Sequence, residues 1–304
     1  TIARGSSDHA ASFAKYLIET QLGLITSSSA PSVNTIYNIN LNLENMLVIG
    51  ISQSGKSPDI CHVMTEAKKQ GAITIAIVNE TNSPLADAAE FVIPLHAGPE
   101  KAVAATKSYM CTLSALLQFV AIYKNDSNLL SALDKLPSQL EKTLQSDWAD
   151  AITQLKEAKN MFVIARGTAY PIAQEAALKL KETSCIQAEP FSSAEVLHGP
   201  FALIKPNFTA LIFIQNDQTK EENIKLAEKI TSLGANTLIV YPENITIPNK
   251  SIAKTNLILP ASINPLTDSI MIIIAFYKMA NSLAISRGFD PDSPKNLKKV
   301  TETK

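Results

Sequence analysis

Short apolar runs rich in valine and isoleucine alternate with amphipathic segments along the chain. Residues 46–51 and 72–78 are continuous apolar runs, which are typical of parallel strands buried on both faces. The segment between them predicts a helix, because Pro58 suits a first helical position and Gly71 suits a helix end. The order strand, helix, strand predicts an α/β fold in which a parallel sheet is flanked by helices.

The same pattern occurs twice in the chain. Ala-Arg-Gly-Ser-Ser, which starts at Ala3, resembles Ala-Arg-Gly-Thr-Ala, which starts at Ala165, and a Gly-Ala pair precedes a strand at both Gly71 and Gly234. These two offsets are 162 and 163 positions. The near-constant offset predicts an internal duplication with two tandem lobes. We expect a first lobe at residues 1–126, followed at 127–304 by a connecting helical segment, the second lobe and an irregular C-terminal arm.

A polar loop, Ser-Gln-Ser-Gly-Lys-Ser at residues 52–57, follows the first predicted strand and precedes a helix. Free backbone N–H groups at a helix start, three hydroxyls and a glycine suit the binding of a phosphate. The equivalent residues 214–219 lack the hydroxyl-rich turn and include an aspartate, which favours one anion site per chain. Residues 50–57 also match the nucleotide-binding pattern GxxxxGK[ST], so a P-loop hydrolase is an alternative.

Composition and charge exclude several other classes of protein. The chain has 304 residues, 46% of them hydrophobic, and a net charge of −1. Proteins that bind nucleic acid or an anionic membrane usually carry an excess of basic residues, and this chain has none. No apolar run reaches the roughly 20 residues that span a bilayer. The three cysteines form no metal-binding pattern. We therefore expect a cytoplasmic protein without metal, and we expect a further segment before Thr1.

Two further segments and one histidine carry candidate chemistry. Lys179 and Glu182 lie three positions apart on one face of a predicted helix, where an ammonium keeps a carboxylate ionised for work as a general base. A solvated surface ion pair is the alternative. His198 precedes Gly-Pro, which predicts a turn from which an imidazole can move protons, although a structural histidine is equally compatible. Thr106, in Val-Ala-Ala-Thr-Lys, suits either a helix N-cap or a ligand contact.

Together these motifs resemble the SIS (sugar isomerase) family and, within it, the isomerase half of the glucosamine-6-phosphate synthases. The most specific part is Ala-Leu-Lys-Leu-Lys-Glu-Thr-Ser from Ala177, then Gln-Ala-Glu from Gln187 and His-Gly-Pro from His198. Three shorter motifs follow in the family's order: Ser-Gln-Ser-Gly from Ser52, Ala-Thr-Lys from Ala105 and Pro-Lys-Asn-Leu from Pro294.

The resemblance implies roles for the residues at matching positions. Glu182 would move a proton between C1 and C2 of the sugar through an enediol or enolamine, and Lys179 would support it. His198 would assist ring opening from a neighbouring subunit, which implies a homodimer with a shared active site. Lys299 matches a lysine that closes over the open-chain sugar. The sugar phosphate would be bound by Ser7, Ser52, Gln53, Ser54, Ser57, Val103, Ala105 and Thr106.

The resemblance also implies a reaction. The synthases carry a glutamine-hydrolysing domain that we do not expect here, which leaves amino-sugar-phosphate deaminases and isomerases as the nearest relatives. They would convert glucosamine 6-phosphate to fructose 6-phosphate and ammonia without metal or nucleotide. The alternatives are a galactosamine or fructosamine phosphate as substrate, a role as the isomerase domain of an aminotransferase, and a sensor that binds a sugar phosphate without turnover. Lys179, Glu182 and His198 together favour an enzyme.

Overall fold

The computed structural model describes residues 1–299, and the chain divides into two compact units. The first unit is Thr1–Val120 with tail residues 295–299, and the second is Ala121–Pro294. The division after residue 126 stays a prediction from the sequence. The tail groups with the first unit, in which Lys299 donates a hydrogen bond to the carbonyl of Ala102.

A parallel sheet forms the centre of the first unit. Its strands are β1 (Leu47–Ser52), β2 (Ile73–Val78) and β3 (Phe91–Pro94), in the order β1-β2-β3, and Ile2 forms a parallel bridge to Gly50 of β1. The helices are α1 (Ser6–Leu22), α2 (Ser32–Thr35), α3 (Pro58–Lys69), α4 (Pro84–Ala88) and α5 (Lys107–Lys124), whose last turn belongs to the second unit. One hydrophobic cluster of its core lies between the sheet and helices α3 and α4.

Helix α3 has the ends that its sequence predicts. Pro58 occupies the first helical position, and Gly71, just beyond the last turn, has a φ of 84°, which glycine adopts without strain. The helix packs closely on β1, because a Cβ added at Gly50 would lie 2.5 Å from Cε of Met64. Glycine at this strand position therefore lets α3 approach the sheet closely.

The second unit contains a larger parallel sheet in the order β5-β4-β6-β7-β8. Its strands are β4 (Asn160–Ala165), β5 (Gln187–Ser192), β6 (Thr209–Phe213), β7 (Asn236–Pro242) and β8 (Thr255–Leu259). Its helices are α6 (Ser127–Thr143), α7 (Ala149–Leu155), α8 (Tyr170–Ser184), α9 (Lys220–Ser232) and α10 (Pro265–Ser286). The predicted connecting segment is thus the helix pair α6 and α7. Short 3-10 turns occur at Gly167–Ala169, Glu195–Leu197, Pro200–Leu203 and Lys250–Ile252.

The two units repeat one arrangement, which confirms the predicted duplicated α/β fold. β2 begins at residue 73 and β7 at residue 236, an offset of 163, and α3 and α9 both end just before the strand that follows them. In each unit every described strand pairing is parallel. The carboxyl ends of the strands therefore gather at one edge of each sheet, and the loops that follow them lie together there.

Helix α10 is long and apolar enough to cross a membrane by length and composition. In the structure 61% of its most apolar stretch is buried, and the helix packs against α6, α7 and α8. Phe276 of α10 meets Phe213 of β6 edge to face, with ring centroids 6.2 Å apart. Helix α10 is therefore a core helix of the second unit.

Candidate active site

The serine loop, residues 52–57, links the end of β1 to the start of α3. Ser52 is buried, and its hydroxyl accepts a hydrogen bond of 3.0 Å from the backbone N–H of Gly55, which closes the turn. Gln53, Ser54 and Ser57 are half-buried. Ser57 is the residue before α3, yet its hydroxyl does not cap the helix. The loop therefore offers hydroxyl and backbone donors beside a helix N-terminus, as an anion site requires.

Gly55 holds the loop in a conformation that other residues adopt only with strain. Its φ is 64°, and an added Cβ would lie 2.1 Å from Oγ of Ser83. Its backbone carbonyl accepts a hydrogen bond from the N–H of Leu85 at 3.0 Å. The loop is thus fixed against the start of α4 by close contact and by a hydrogen bond.

The P-loop alternative does not fit this geometry. The motif needs a glycine-rich loop between strand and helix, yet Gly50, its first glycine, lies inside β1 and pairs with Ala76 of β2. Lys56 and Ser57, its last two residues, precede the helix. The loop after β1 is therefore shorter than the sequence pattern suggests.

A second loop approaches α5 at the carboxyl edge of the same sheet. Oε1 of Glu100 accepts hydrogen bonds from the backbone N–H of Thr106 at 2.8 Å and of Lys107 at 2.7 Å, and Ser108 donates its hydroxyl to Oε2. Burial opposes ionisation, but these donors hold the pKa of Glu100 below its usual value. Thr106 is the residue before α5, and the carboxylate that accepts hydrogen bonds at this helix start belongs to Glu100, which the sequence patterns did not indicate.

The first unit contains all the predicted phosphate-binding residues and one predicted catalytic residue. Ser7 lies in the first turn of α1, and Val103 and Ala105 lie in the segment between Glu100 and α5. Nζ of Lys299 donates a hydrogen bond of 2.6 Å to the carbonyl of Ala102, next to that segment. The tail lysine is therefore adjacent to the predicted phosphate-binding segment within one unit.

A buried ammonium lies between two carboxylates on helix α8 of the second unit. Nζ of Lys179 is 2.7 Å from Oε2 of Glu182 and 3.2 Å from Oε1 of Glu175. The Lys179 side chain is 3% exposed and that of Glu182 is 20% exposed, so the predicted pair is not a solvated surface contact. Burial lowers the pKa of Lys179, but the two carboxylates outweigh it and raise that pKa above its ordinary value.

Two members of this cluster were missed from sequence. Glu175 is fully buried and accepts a hydrogen bond of 2.9 Å from the Tyr277 hydroxyl of α10. Glu175 precedes Lys179 by four positions, a spacing that brings side chains together on a helix and was available as a signal. Tyr277 is 102 positions from Glu175, and nothing local in the sequence points to it.

His198 lies in the turn predicted for it. It follows the 3-10 turn Glu195–Leu197, and Gly199 after it has a φ of 122°. The imidazole is exposed, whereas Lys179 is buried and forms its ion pairs with Glu175 and Glu182. The structure thus brings Lys179 and Glu182 together but leaves His198 outside their cluster.

Possible metal ligands do not form a cluster in the described part of the chain. Within residues 1–299, no three His, Cys, Asp or Glu side chains are grouped as ligands for a metal ion. Cys61, Cys111 and Cys185 are all free thiols. The polar groups described at the two sites are hydroxyls, backbone amides, carboxylates and the ammonium of Lys179.

Comparison with known proteins gives relatives for the whole chain. A glutamine–fructose-6-phosphate aminotransferase (isomerizing) of Aquifex aeolicus (strain VF5) is 34% identical over 305 residues, 98% of this chain and 50% of the relative. The chain thus spans about half the length of the curated relatives it matches. A structure of a candidate phosphosugar isomerase from Silicibacter pomeroyi DSS-3 is 37% identical with a TM-score of 0.87, covering 96% of this chain and 87% of that one.

A third protein shares the fold at lower identity. The glucosamine-6-phosphate deaminase of Thermotoga maritima is 23% identical with a TM-score of 0.80, covering 99% of this chain and 89% of that one. The family model described as the SIS domain matches residues 1–122 and 154–283, which fall on the two duplicated α/β regions. The repeated parallel sheets, the serine loop and this match agree, and the chain belongs to the SIS family.

Proposed function

We propose that this protein converts glucosamine 6-phosphate and water to fructose 6-phosphate and ammonia. The observation that carries the proposal is the ammonium of Lys179, buried between Glu175 and Glu182. A paired carboxylate stays ionised, and Glu182 is the more exposed of the two. It therefore has the charge and the access that a general base for a sugar carbon requires.

In the proposed reaction Glu182 moves one proton between two carbons of the open-chain sugar. Its carboxylate takes the proton from C2, and the electron pair of that bond forms the C1=C2 bond of an enolamine while the aldehyde oxygen takes up a proton. Return of the proton to C1 leaves an iminium at C2. Water adds there and ammonia leaves, so that one water is consumed and one ammonia is released. His198 would assist the ring opening that precedes these steps.

Phosphate binding would orient the substrate for this transfer. The serine loop, Ser7 and residues 103–106 would hold the phosphate, and Lys299 would close over the open-chain sugar. Fixed binding of the non-reacting phosphate contributes to the rate by holding the carbon chain in a reactive geometry. We further propose that the protein acts in the cytoplasm as a homodimer in which His198 serves the neighbouring subunit's site.

A second function is favoured by the match to the Aquifex aeolicus aminotransferase. That relative is 34% identical over 98% of this chain, yet the chain covers only 50% of it. The same proton transfer run in the opposite sense would then form glucosamine 6-phosphate from fructose 6-phosphate and ammonia, with glutamine as the ammonia source. The same carboxylate would serve either direction, because a reversible proton transfer uses one base for both.

The test is ammonia release by the purified protein given glucosamine 6-phosphate without glutamine, metal or nucleotide. Release in step with formation of fructose 6-phosphate supports the deaminase. No release, together with synthesis of glucosamine 6-phosphate from fructose 6-phosphate and glutamine, supports the aminotransferase function instead. Thermal stabilisation by the sugar phosphate without turnover in either direction would leave a sensor and exclude both reactions.

A further inference from the structure

A cavity of about 370 Å³ opens in the second unit, within the usual size range of small-ligand sites. Its lining comes from residues that follow three neighbouring strands. Arg166 follows β4, Ser193 follows β5, and Lys225 and Lys229 lie on α9, which follows β6. β4 lies between β5 and β6, and the connection after β4 leads to β5 whereas the connection after β6 leads the other way, to β7. Open parallel sheets bind ligands in the crevice formed at such a point.

The lining of this cavity is cationic. It includes Arg166, Lys225 and Lys229 against the single carboxylate of Glu222. Nζ of Lys229 lies 4.6 Å from the ring centroid of Phe201, a contact that holds the ammonium at the wall. The excess of two positive charges, with His198 counted as neutral, favours a doubly charged anion.

Glu222, the carboxylate in the cavity, forms an exposed ion pair with Arg166. NH1 of Arg166 lies 2.6 Å from Oε2 of Glu222, whose side chain is 59% exposed. Exposed pairs of this kind contribute little to stability, so an incoming anion can replace Glu222 at the guanidinium. The matching pair of the first unit is different, because Arg4 holds Asp59 with both Nε and NH2 and the Asp59 side chain is 0% exposed.

A buried hydroxyl adds an independent feature of a ligand site. Ser193 lies in the cavity wall and is 4% exposed, and its Oγ has no hydrogen-bond partner among the described residues. A buried hydroxyl without a partner is costly, and rotation of the Ser193 side chain towards a ligand acceptor in the cavity would remove that cost. Cations with a hydroxyl donor form a set that recognises phosphate.

We propose that this cavity binds the phosphate group of a small phosphorylated metabolite, as a second anion site besides the serine loop. Arg166, Lys225 and Lys229 contact the phosphate, Ser193 donates its hydroxyl, and Leu226 packs against the organic part. Residues 214–219, which predict a single anion site per chain, lie outside the lining of this cavity. The cations of α9 are specific to the second copy, because His62 and Glu66 stand at the positions matching Lys225 and Lys229.

Equilibrium dialysis with radiolabelled inorganic phosphate counts the sites on the full chain. The test variant is Lys225→Ala/Lys229→Ala. The matched control is Lys205→Ala/Lys250→Ala, which removes two exposed lysines of the same unit outside the cavity. A third variant, Ser54→Ala/Ser57→Ala, weakens the serine loop, so that the two sites are counted separately. Thermal midpoints confirm that each variant is folded.

The expected result is two bound phosphates per chain for wild type and control, and one for each of the other variants. When Lys225→Ala/Lys229→Ala is added to the serine-loop variant, the phosphate affinity of the remaining site should fall at least tenfold. Glucosamine 6-phosphate should displace the label from that site if it accepts sugar phosphates. The proposal is overturned if the lysine variant binds as much phosphate as the control. It is also overturned if wild type binds only one phosphate per chain and this site is lost in the serine-loop variant but kept in the lysine variant.

Discussion

The charged form of Lys179 is stabilised by the two carboxylates beside it, because burial alone would favour the neutral amine. Its distances to Glu175 and Glu182 are 3.2 and 2.7 Å, and Glu175 is further fixed by Tyr277. Removing one partner of a buried pair leaves the other without compensation, at a cost of roughly 3–5 kcal/mol. The two carboxylates therefore differ in role: Glu175 is fully buried and holds the ammonium, whereas Glu182 reaches partial exposure.

Glu182→Gln should abolish turnover while ligand binding is retained. The amide keeps the size of the side chain and an acceptor for Lys179, but it cannot take a proton from carbon. General base catalysis contributes about 10²–10⁴-fold, so a loss in that range is expected. Ammonia release measures turnover, and the thermal shift with fructose 6-phosphate measures binding. Glu228→Gln, at an exposed position on α9, is the control. Equal turnover by both variants would remove Glu182 from the mechanism.

Asp268 should make the stability of the protein depend on pH. Burial raises the pKa of its carboxyl to about 7, with a smaller contribution from the nearby charge of Asp217. Because the folded pKa lies above the ordinary value of 3.8, the stabilisation is complete below pH 3.8 and is lost as the pH rises through about 7.

Asp268→Asn removes this titration and leaves an oxygen to accept the hydrogen bond from the N–H of Asn216. Between pH 4 and 8, the unfolding free energy of wild type should fall relative to this variant by up to about 4 kcal/mol. Urea unfolding at several pH values measures the difference. Asp134→Asn, at an exposed position on α6, should follow wild type. Parallel pH profiles for wild type and Asp268→Asn would contradict the assignment.

At the scale of the element, the serine loop depends on the conformation of one glycine. Gly55→Ala should distort the serine loop for two reasons. The φ of residue 55 is 64°, which strains an alanine, and the new Cβ would lie 2.1 Å from Oγ of Ser83. We expect binding of fructose 6-phosphate to weaken at least about tenfold, since the loop donors would shift from the phosphate.

Gly23 provides a matched control for this substitution. Its φ is 68°, but no atom lies within 4 Å of an added Cβ. Gly23→Ala should cost about 1 kcal/mol of unfolding free energy through backbone strain, without a change in ligand affinity. Urea unfolding and calorimetric titration separate the two effects. Equal affinity of the two variants would mean that the loop does not bind the phosphate.

Local patterns account for the elements that could be predicted from sequence. The ends of α3 follow from Pro58 and Gly71, and β2 differs from its predicted run by one residue. Contacts between distant segments were not predictable. Glu100 caps α5 across a loop without a regular motif, and Tyr277 meets Glu175 across 102 positions. Such contacts depend on how distant segments pack against each other, and the spacing of residues within one segment does not predict that packing.

At the scale of the whole molecule, the two copies of the fold have diverged at one loop. Gln215 stands at the position matching Gln53 of the serine loop, and it is fully buried. It accepts a hydrogen bond from Thr168 at 2.9 Å and donates to Ser269 at 2.8 Å. The second copy thus fills with protein side chains the place where the first copy presents its serine loop. Loss of the hydroxyl-rich turn therefore has a structural counterpart in a satisfied buried network.

The exposed position of His198 leads to a prediction about subunits. If His198 serves the neighbouring site of a symmetric dimer, Glu182→Gln and His198→Ala chains should complement one another. In a mixed dimer one site lacks both groups, whereas the other has Glu182 from one chain and His198 from its partner. Random reassociation of equal amounts makes half of the dimers mixed, so about one quarter of wild-type activity should return.

The control separates complementation from simple mixing. Glu182→Gln is mixed with the double variant Glu182→Gln/His198→Ala, so every site lacks Glu182 and no activity should return. Ammonia release before and after reassociation measures the recovery, and size-exclusion chromatography confirms that dimers form. Recovery in the first mixture alone would assign His198 to the partner's site. No recovery in either mixture of dimers would place its action within its own chain, where its distance from the Lys179 cluster would then have to close on substrate binding.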